Sequence, residues 1–343
     1  MNIQNKMIGS LKGVAIGDAL GLPVEIHTRS QIIRLLNQEF LGDHNGLIDR
    51  YYPIGRHGMY RKSIPSSSFP GLTCNSTGIC SDDTILTLAL ADSIREQGGI
   101  DMDDMVERHV QAVQDEPFGF GTGTRSSMER IANGADWRSV QDVSFGNGMM
   151  MKQSPLAFYE AMSREDIEST VLELARITHA HPISLVAAQV HHKLLVDIII
   201  SESKSFDMLH WFIDGIQYAK QCEKDVGASS QLSTLLQDIK KEGTQPMSLE
   251  TIGEKYARKI DSEKNPYFNI LSTIGIVYAI FLRKQDFVAV QQGASIGGDT
   301  DSYASILGSM SGALQGDIFP EQYIKDLHPR YRQKLEKTIH SLA

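Results

Sequence analysis

The sequence predicts an all-α protein, a compact fold of many helices. Three observations point there. Apolar residues recur three and four positions apart in nearly every hydrophobic segment, which is the spacing of one helix face. Alternation of apolar and polar residues, the mark of a half-buried strand, is scarce; the nearest run, Phe287 to Val290, fits a helix equally well. Glycine or proline opens or closes several of the periodic segments.

In chain order, Ile3, Met7, Leu11 and Val14 form the first stripe, broken at Gly21 and Pro23. Leu86, Leu90 and Ile94 form another, which ends at Gly98 and Gly99. Ile167, Val171, Leu174 and Ala175 form a third. Residues 184–200, behind Pro182, are apolar nearly all round, as a central helix would be. Residues 270–282 are the most apolar run, too short to span a bilayer and therefore read as a buried helix. Between the helices lie long glycine-, serine- and proline-bearing segments at 40–82, 115–126 and 144–155, expected to be loops, the first of them functional or mobile. Residues 223–250, polar and charged, are expected to be a surface excursion. No internal repeat and no shift of composition asks for a boundary, so residues 1–343 are read as a single domain.

A net charge of −9 argues against nucleic acid and against anionic membranes as partners. Three cysteines with no C-x-x-C pair make a disulfide framework or a thiolate zinc site a poor expectation. The first residues lack the apolar core of a signal peptide, so a cytoplasmic protein is expected. Nothing in the pattern sets an oligomeric state.

Two acidic clusters stand out. Ser81, Asp82 and Asp83 precede one helical segment; Asp299, Asp301 and Ser302 open another, behind Gly297 and Gly298. Residues two apart diverge on a regular helix, but they can converge where a loop enters one. Each cluster offers only hard oxygen donors, which suit Mg²⁺, Mn²⁺ or Ca²⁺ rather than zinc. If the clusters meet, four carboxylates repel one another, and two divalent cations would balance them. The plainer alternative is that Ser and Asp simply cap their helices. Asp18 is expected to be a structural hydrogen-bond partner. The G-x-G-x-G within 118–125 has no strand before it, which argues against a dinucleotide site. The D-x-D at 299–301 has the spacing of a phosphatase nucleophile motif, but it lies late in a helical chain rather than after an N-terminal strand. His179 is read as a substrate contact, His181 as a capping or surface residue, and His191 and His192 as core or boundary residues.

Five segments in order resemble the ADP-ribosylglycohydrolase family: GSLKGVAIGDALGLPVE (9–25), SDDT (81–84), SFGNGMMMK (144–152), THAHP (178–182) and GGDTDSYASILGSMSGA (297–313). The resemblance implies an all-α fold with a binuclear cleft holding two Mg²⁺ (or Mn²⁺). It implies hydrolysis that frees ADP-ribose from a modified protein side chain, with arginine favoured. By motif position, Ser81, Asp82, Asp83, Asp299, Asp301 and Ser302 would be metal ligands. The resemblance places the water-activating carboxylate among Glu25, Asp82 and Asp299. The run Ser144, Phe145, Gly146, Asn147, Gly148, Met149, Met150, Met151 and Lys152 would wrap the diphosphate and distal ribose, with His179 on the facing wall. Ser81 and Ser302 stand where threonine is frequent, and both keep the hydroxyl oxygen. Met149 to Met151 are bulkier than the usual residues there, and Lys152 replaces a common arginine with a point charge. Hydrolysis of free ADP-ribose derivatives and non-catalytic ADP-ribose binding are the alternative readings.

Overall fold

Every fourth residue from 9 to 21 is glycine, and this repeat decides how the helices assemble. The computed structural model describes residues 2–38, 46–55, 72–116, 119–257 and 269–342. Among them sixteen helices follow in order: α1 (Ile3–Gly21), α2 (Arg29–Gln38), α3 (Asp82–Gln97), α4 (Met102–Asp115), α5 (Thr122–Ala132), α6 (Ser154–Ser163), α7 (Glu168–His179), α8 (Pro182–Ile200), α9 (Met208–Asp225), α10 (Gln231–Glu242), α11 (Leu249–Tyr256), α12 (Ile270–Phe281), α13 (Phe287–Ser295), α14 (Thr300–Gln315), α15 (Glu321–Asp326) and α16 (Pro329–Leu342). No strand forms among the described residues; one isolated bridge joins Thr28 to Gly297.

Helices α1 and α14 lie antiparallel with their backbones in contact. A Cβ placed on Gly9, Gly13, Gly17 or Gly21 would stand 2.2 Å from the carbonyl oxygen of Gly316, Gly308, Ala304 or Thr300 in turn. Any side chain there would force the helices apart. Two hydroxyls reinforce the seam. Ser10 and Ser309 pair at 3.0 Å, and Thr300 donates to the Gly21 carbonyl at 2.9 Å. The seam carries the end of α1 to the start of α14, and with it Glu25 to Asp299.

Helix α8 is the central helix expected from its composition. Pro182 stands in its first turn, and the ring of His181 accepts from the Ile183 N–H, as a capping residue does. Its last carbonyls are closed from outside: buried Lys6 of α1 donates to the carbonyls of Ile198, Ile199 and Ser201 at 2.7–2.9 Å. His191 and His192 are buried on α8, bonded to Tyr278 and Glu160 at 2.9 Å each. By length and composition α8 and residues 3–24 could each cross a membrane, yet 83% of each is buried inside the protein, as core helices are. Helix α12, the apolar 270–281 run, is wholly buried.

Two sequence expectations need correction. Residues 223–250 are not a surface excursion: α10 sends Leu232, Leu235, Leu236 and Ile239 into the core with no exposure. Its lysines, Asp238 and Glu242 are exposed or half-buried, and these charged residues obscure the three-four apolar spacing. Of the expected loop 115–126, Asp115 ends α4 and α5 begins at Thr122, so among the described residues only 116 and 119–121 lie outside a helix. Most of the 40–82 segment, including 56–71, lies outside the described residues.

Candidate active site and metal centre

Glu25 follows the 3₁₀ turn Leu22–Val24 that ends α1. The next residue, Ile26, has φ +66°, a left-handed conformation that is strained for a β-branched side chain. Such strain costs on the order of 1–3 kcal/mol and persists where the surroundings fix the backbone. The fixing contacts are clear. The Ile26 N–H donates to the Gly298 carbonyl at 2.7 Å, and the Gly298 N–H donates back to the His27 carbonyl at 2.9 Å. Gly297 and Gly298 both have φ near +90°, so the chain turns there without strain, as their sequence suggests. This short pairing holds Glu25 against the start of α14.

Ser81 and Asp299 occupy the capping positions of α3 and α14, yet neither side chain caps its own helix. The Ser81 hydroxyl donates to Asp18 at 2.8 Å. Asp299 accepts from the Asn147 amide at 2.6 Å. Plain capping is therefore not what these side chains do. Asp18 does it for them at α3: its carboxylate accepts from the Ser81 and Thr84 N–H groups at 2.9 and 3.1 Å and from the Thr84 hydroxyl at 2.5 Å. This is the structural role its sequence position suggested. The Ser81 hydroxyl also lies 3.4 Å from Asp83 Oδ2, within the cluster.

The two distant clusters meet. One oxygen each of Glu25, Asp299 and Asp301 lies within 4.8 Å of the others. The Ser302 hydroxyl donates to Asp83 at 3.3 Å, linking α14 to α3. Glu25, Asp82, Asp83, Asp299 and Asp301 are all buried. Burial first, then the neighbouring carboxylates, pushes Asp82, Asp83 and Asp299 well above the usual carboxylate range. The same causes push Asp18 up to about 7, the charge of Asp301 being its main neighbour. Asp83 Oδ1 and Asp301 Oδ1 are buried without a hydrogen-bond partner. Two orphaned carboxylate oxygens in a buried, oxygen-only cluster fit a hard divalent cation, which would both ligate them and cancel the repulsion.

The 144–152 segment forms the adjoining wall. Asn147 reaches Asp299 and also donates to Thr273 of α12 at 3.0 Å. The Phe145 carbonyl accepts from the Ile270 N–H at 2.9 Å, and the Ser144 carbonyl accepts from the His181 N–H at 3.4 Å. The side chains of Met149, Met150 and Met151 are buried in the apolar core. Lys152 is buried and lies near Asp82, whose charge opposes the effect of burial; burial lowers its pKa to about 8. His179 is not on the facing wall. Its ring fills the space that a Cβ on Gly146 or Gly148 would take, 3.0 and 2.3 Å from that position, so it belongs to the same wall. Its Nδ1 pairs with the Thr178 hydroxyl at 2.8 Å, and burial beside Lys152 keeps the ring neutral, with a pKa near 3. Glycines 119 and 123 bring the glycine-rich segment to the same place: Gly119 abuts Ser81 and Asp82, and Gly123 abuts Ser144 and Thr178. Phe118 of that segment lies outside the described residues. The residues that sequence reading missed are Thr273, which shares the Asn147 amide, and Ile26.

Helices throughout, and two distant acidic helix starts brought to one buried centre, define an all-helical protein built around a carboxylate cluster. The model of the ADP-ribosylglycohydrolase family matches residues 1–343, and the chain belongs to that family. It is similar to the ADP-ribosyl-[dinitrogen reductase] glycohydrolase of Rhodospirillum rubrum, 22% identical over 99% of this chain and 96% of that one. It is similar also to an ADP-ribosylarginine hydrolase of Pseudomonas putida, 22% identical over 98% of this chain and 78% of that one. An ADP-ribosylhydrolase of Mus musculus is 23% identical over 92% of this chain and 85% of its own length. A solved structure titled ADP-ribosylglycohydrolase-related protein complex shares the fold, with a TM-score of 0.63 at 20% identity over 99% of this chain and 97% of that one.

Proposed function

We propose that the protein is a Mg²⁺-dependent ADP-ribosylhydrolase that cleaves the glycosidic bond between ADP-ribose and a modified protein side chain, arginine by preference. One observation carries this reading: carboxylates more than 200 residues apart in sequence share one buried, oxygen-only centre with orphaned oxygens, in a chain of this family. The preference for arginine rests on relatives named for that activity.

Asp82, Asp83, Asp299 and Asp301, with the Ser81 and Ser302 hydroxyl oxygens, would hold two divalent cations. Bound there, the cations would supply Lewis acidity toward the ribose hydroxyls and a nearby water. The protein's own groups do the rest. Asp18 fixes the start of α3, and the Ile26–Gly298 pairing fixes Glu25 beside Asp299. Asn147 orients Asp299 through its amide. Glu25 is placed at the end of a turn, within the cluster yet next to an exposed residue, and we assign it the water proton as the water attacks the anomeric carbon. The bond from that carbon to the acceptor breaks, and the acceptor side chain leaves with a proton in place of ADP-ribose. The backbone of 144–148 and His179 line the wall on which the sugar and diphosphate would lie.

The test is release of ADP-ribose from arginine-, serine- and ester-linked substrates with Mg²⁺ present. The reading expects release, fastest from the arginine linkage. No release from any linkage with Mg²⁺ or Mn²⁺ would overturn it.

The carboxylate cluster also predicts how cations and pH act on stability. A carboxyl whose folded pKa is raised is protonated in the folded state where the unfolded chain has already released its proton. Its stability contribution is complete below the unfolded value of about 4 and is lost as pH rises through the folded pKa. Asp18, Asp82, Asp83 and Asp299 all behave this way, so without cations this cluster weakens the fold from about pH 4 through 7 and above. Cations bind the ionised ligands. Adding Mg²⁺ should therefore raise Tm more at pH 8 than at pH 5. At a hundredfold excess over Kd the gain is about 2.7 kcal/mol. Differential scanning calorimetry measures it, and an equal shift at both pH values would count against the cluster as the binding site.

A further inference from the structure

Ile26 is the residue whose identity the fold does not explain. Its backbone must be left-handed, because the Ile26–Gly298 and His27–Gly298 hydrogen bonds require that turn. Glycine or asparagine would make the same turn with less strain. Among the described residues the other non-glycine at positive φ is Arg164, which ends a helix in an ordinary way. A β-branched residue at such a site is expected to repay its strain by packing, and Ile26 does not. It is 39% exposed and belongs to neither hydrophobic cluster. The sequence thus keeps a strained apolar side chain facing solvent, one residue from Glu25.

We infer that Ile26 is a specificity-determining residue that packs on the aliphatic stem of the acceptor side chain. This rests on the reaction proposed above. The reacting end of the substrate lies at Glu25, Asp299 and Asp301, and consecutive Cα atoms are about 3.8 Å apart, so Ile26 borders the bond to be broken. Two parts of the substrate meet there. The ribose presents hydroxyls, which suit the carboxylates and not an isoleucine. The acceptor presents methylenes between its linked atom and its own backbone, and these suit an exposed apolar group at the mouth. Arginine carries three such methylenes and serine one, so the contact favours the longer stem.

The test uses Ile26→Gly and Ile26→Asn, which both accept the left-handed backbone, with Ile26→Leu keeping an apolar group. Two quantities are read with saturating Mg²⁺: kcat/KM for an arginine-linked ADP-ribosylated protein, and the dissociation constant of free ADP-ribose by calorimetry. Glycine and asparagine should lower kcat/KM by roughly five- to tenfold, mainly through KM, and leave ADP-ribose binding unchanged. Leucine should retain most of the activity. Unchanged kcat/KM in the glycine and asparagine variants would overturn the inference. So would an equal loss of ADP-ribose affinity, which would mean that Ile26 serves the sugar or the placing of Glu25. A parent protein that releases no ADP-ribose would overturn the assigned reaction itself, and this inference with it.

Discussion

Asp301→Asn should abolish turnover and weaken divalent-cation binding while leaving the cation-free protein folded, or more stable than the parent. Asp301 joins Glu25 and Asp299 in one cluster and has a buried oxygen without a partner. The change removes a charged ligand at nearly constant volume. Metal-assisted charge stabilisation is worth several kcal/mol, so kcat/KM should fall by about 10³-fold or more. The opposite sign for the cation-free fold follows from electrostatics. The charge of Asp301 is among the causes that push up Asp18, Asp82 and Asp83, so removing it relieves all three. Activity, Mg²⁺ calorimetry and cation-free Tm on the same preparation separate a lost site from a lost fold. Parent-like Mg²⁺ binding in the variant would show that the cluster is not the cation site.

Gly13→Ala should be among the most destabilising single substitutions available in this chain. In an exposed helix interior the same change stabilises by up to about 1 kcal/mol, because alanine is the better helix former. At Gly13 the added Cβ would stand 2.2 Å from the Gly308 carbonyl oxygen, which is backbone and cannot rotate away. Helices α1 and α14 must separate by an ångström or more, and the separation propagates along the ladder from Gly9 to Gly21. Overpacking of this kind costs about 1–3 kcal/mol where side chains can adjust, and more where backbone meets backbone. A loss of about 4 kcal/mol would lower Tm by roughly 5–6 °C in a chain of this length. Because the seam carries Glu25 to Asp299, cation affinity should fall as well. Gly121→Ala, where a Cβ would meet nothing within 4 Å, is the matching control and should shift Tm little. Equal Tm for Gly13→Ala and the parent would mean that the α1–α14 seam is not the spine of the fold.

The helices most legible in the sequence were those whose apolar residues dominate, such as α8 and α12. Helix α10 was less so, because lysine, aspartate and glutamine share its short span with Leu232, Leu235, Leu236 and Ile239. The glycine ladder was hidden for a different reason. Read alone, glycine inside a helical segment weakens the expectation of a helix; its value here exists only against a second helix almost 300 residues away. The acidic clusters could be read as oxygen donors from their residue types. That they share one centre depends on the seam, and that Ser81 and Asp299 do not cap depends on Asp18 and Asn147. The position of His179 was misread because the size of a glycine, not the charge of a diphosphate, explains why Gly148 must be small. Ile26 gave no signal at all, since a left-handed turn is expected at glycine or asparagine.

The most direct measurement is ADP-ribose release from an arginine-linked protein substrate by chelator-treated protein, before and after Mg²⁺ is restored. The joined carboxylate clusters predict no release without the cation and full recovery with it, and no recovery in Asp301→Asn. The same rate in both conditions would contradict a cation-dependent centre built from Asp82, Asp83, Asp299 and Asp301.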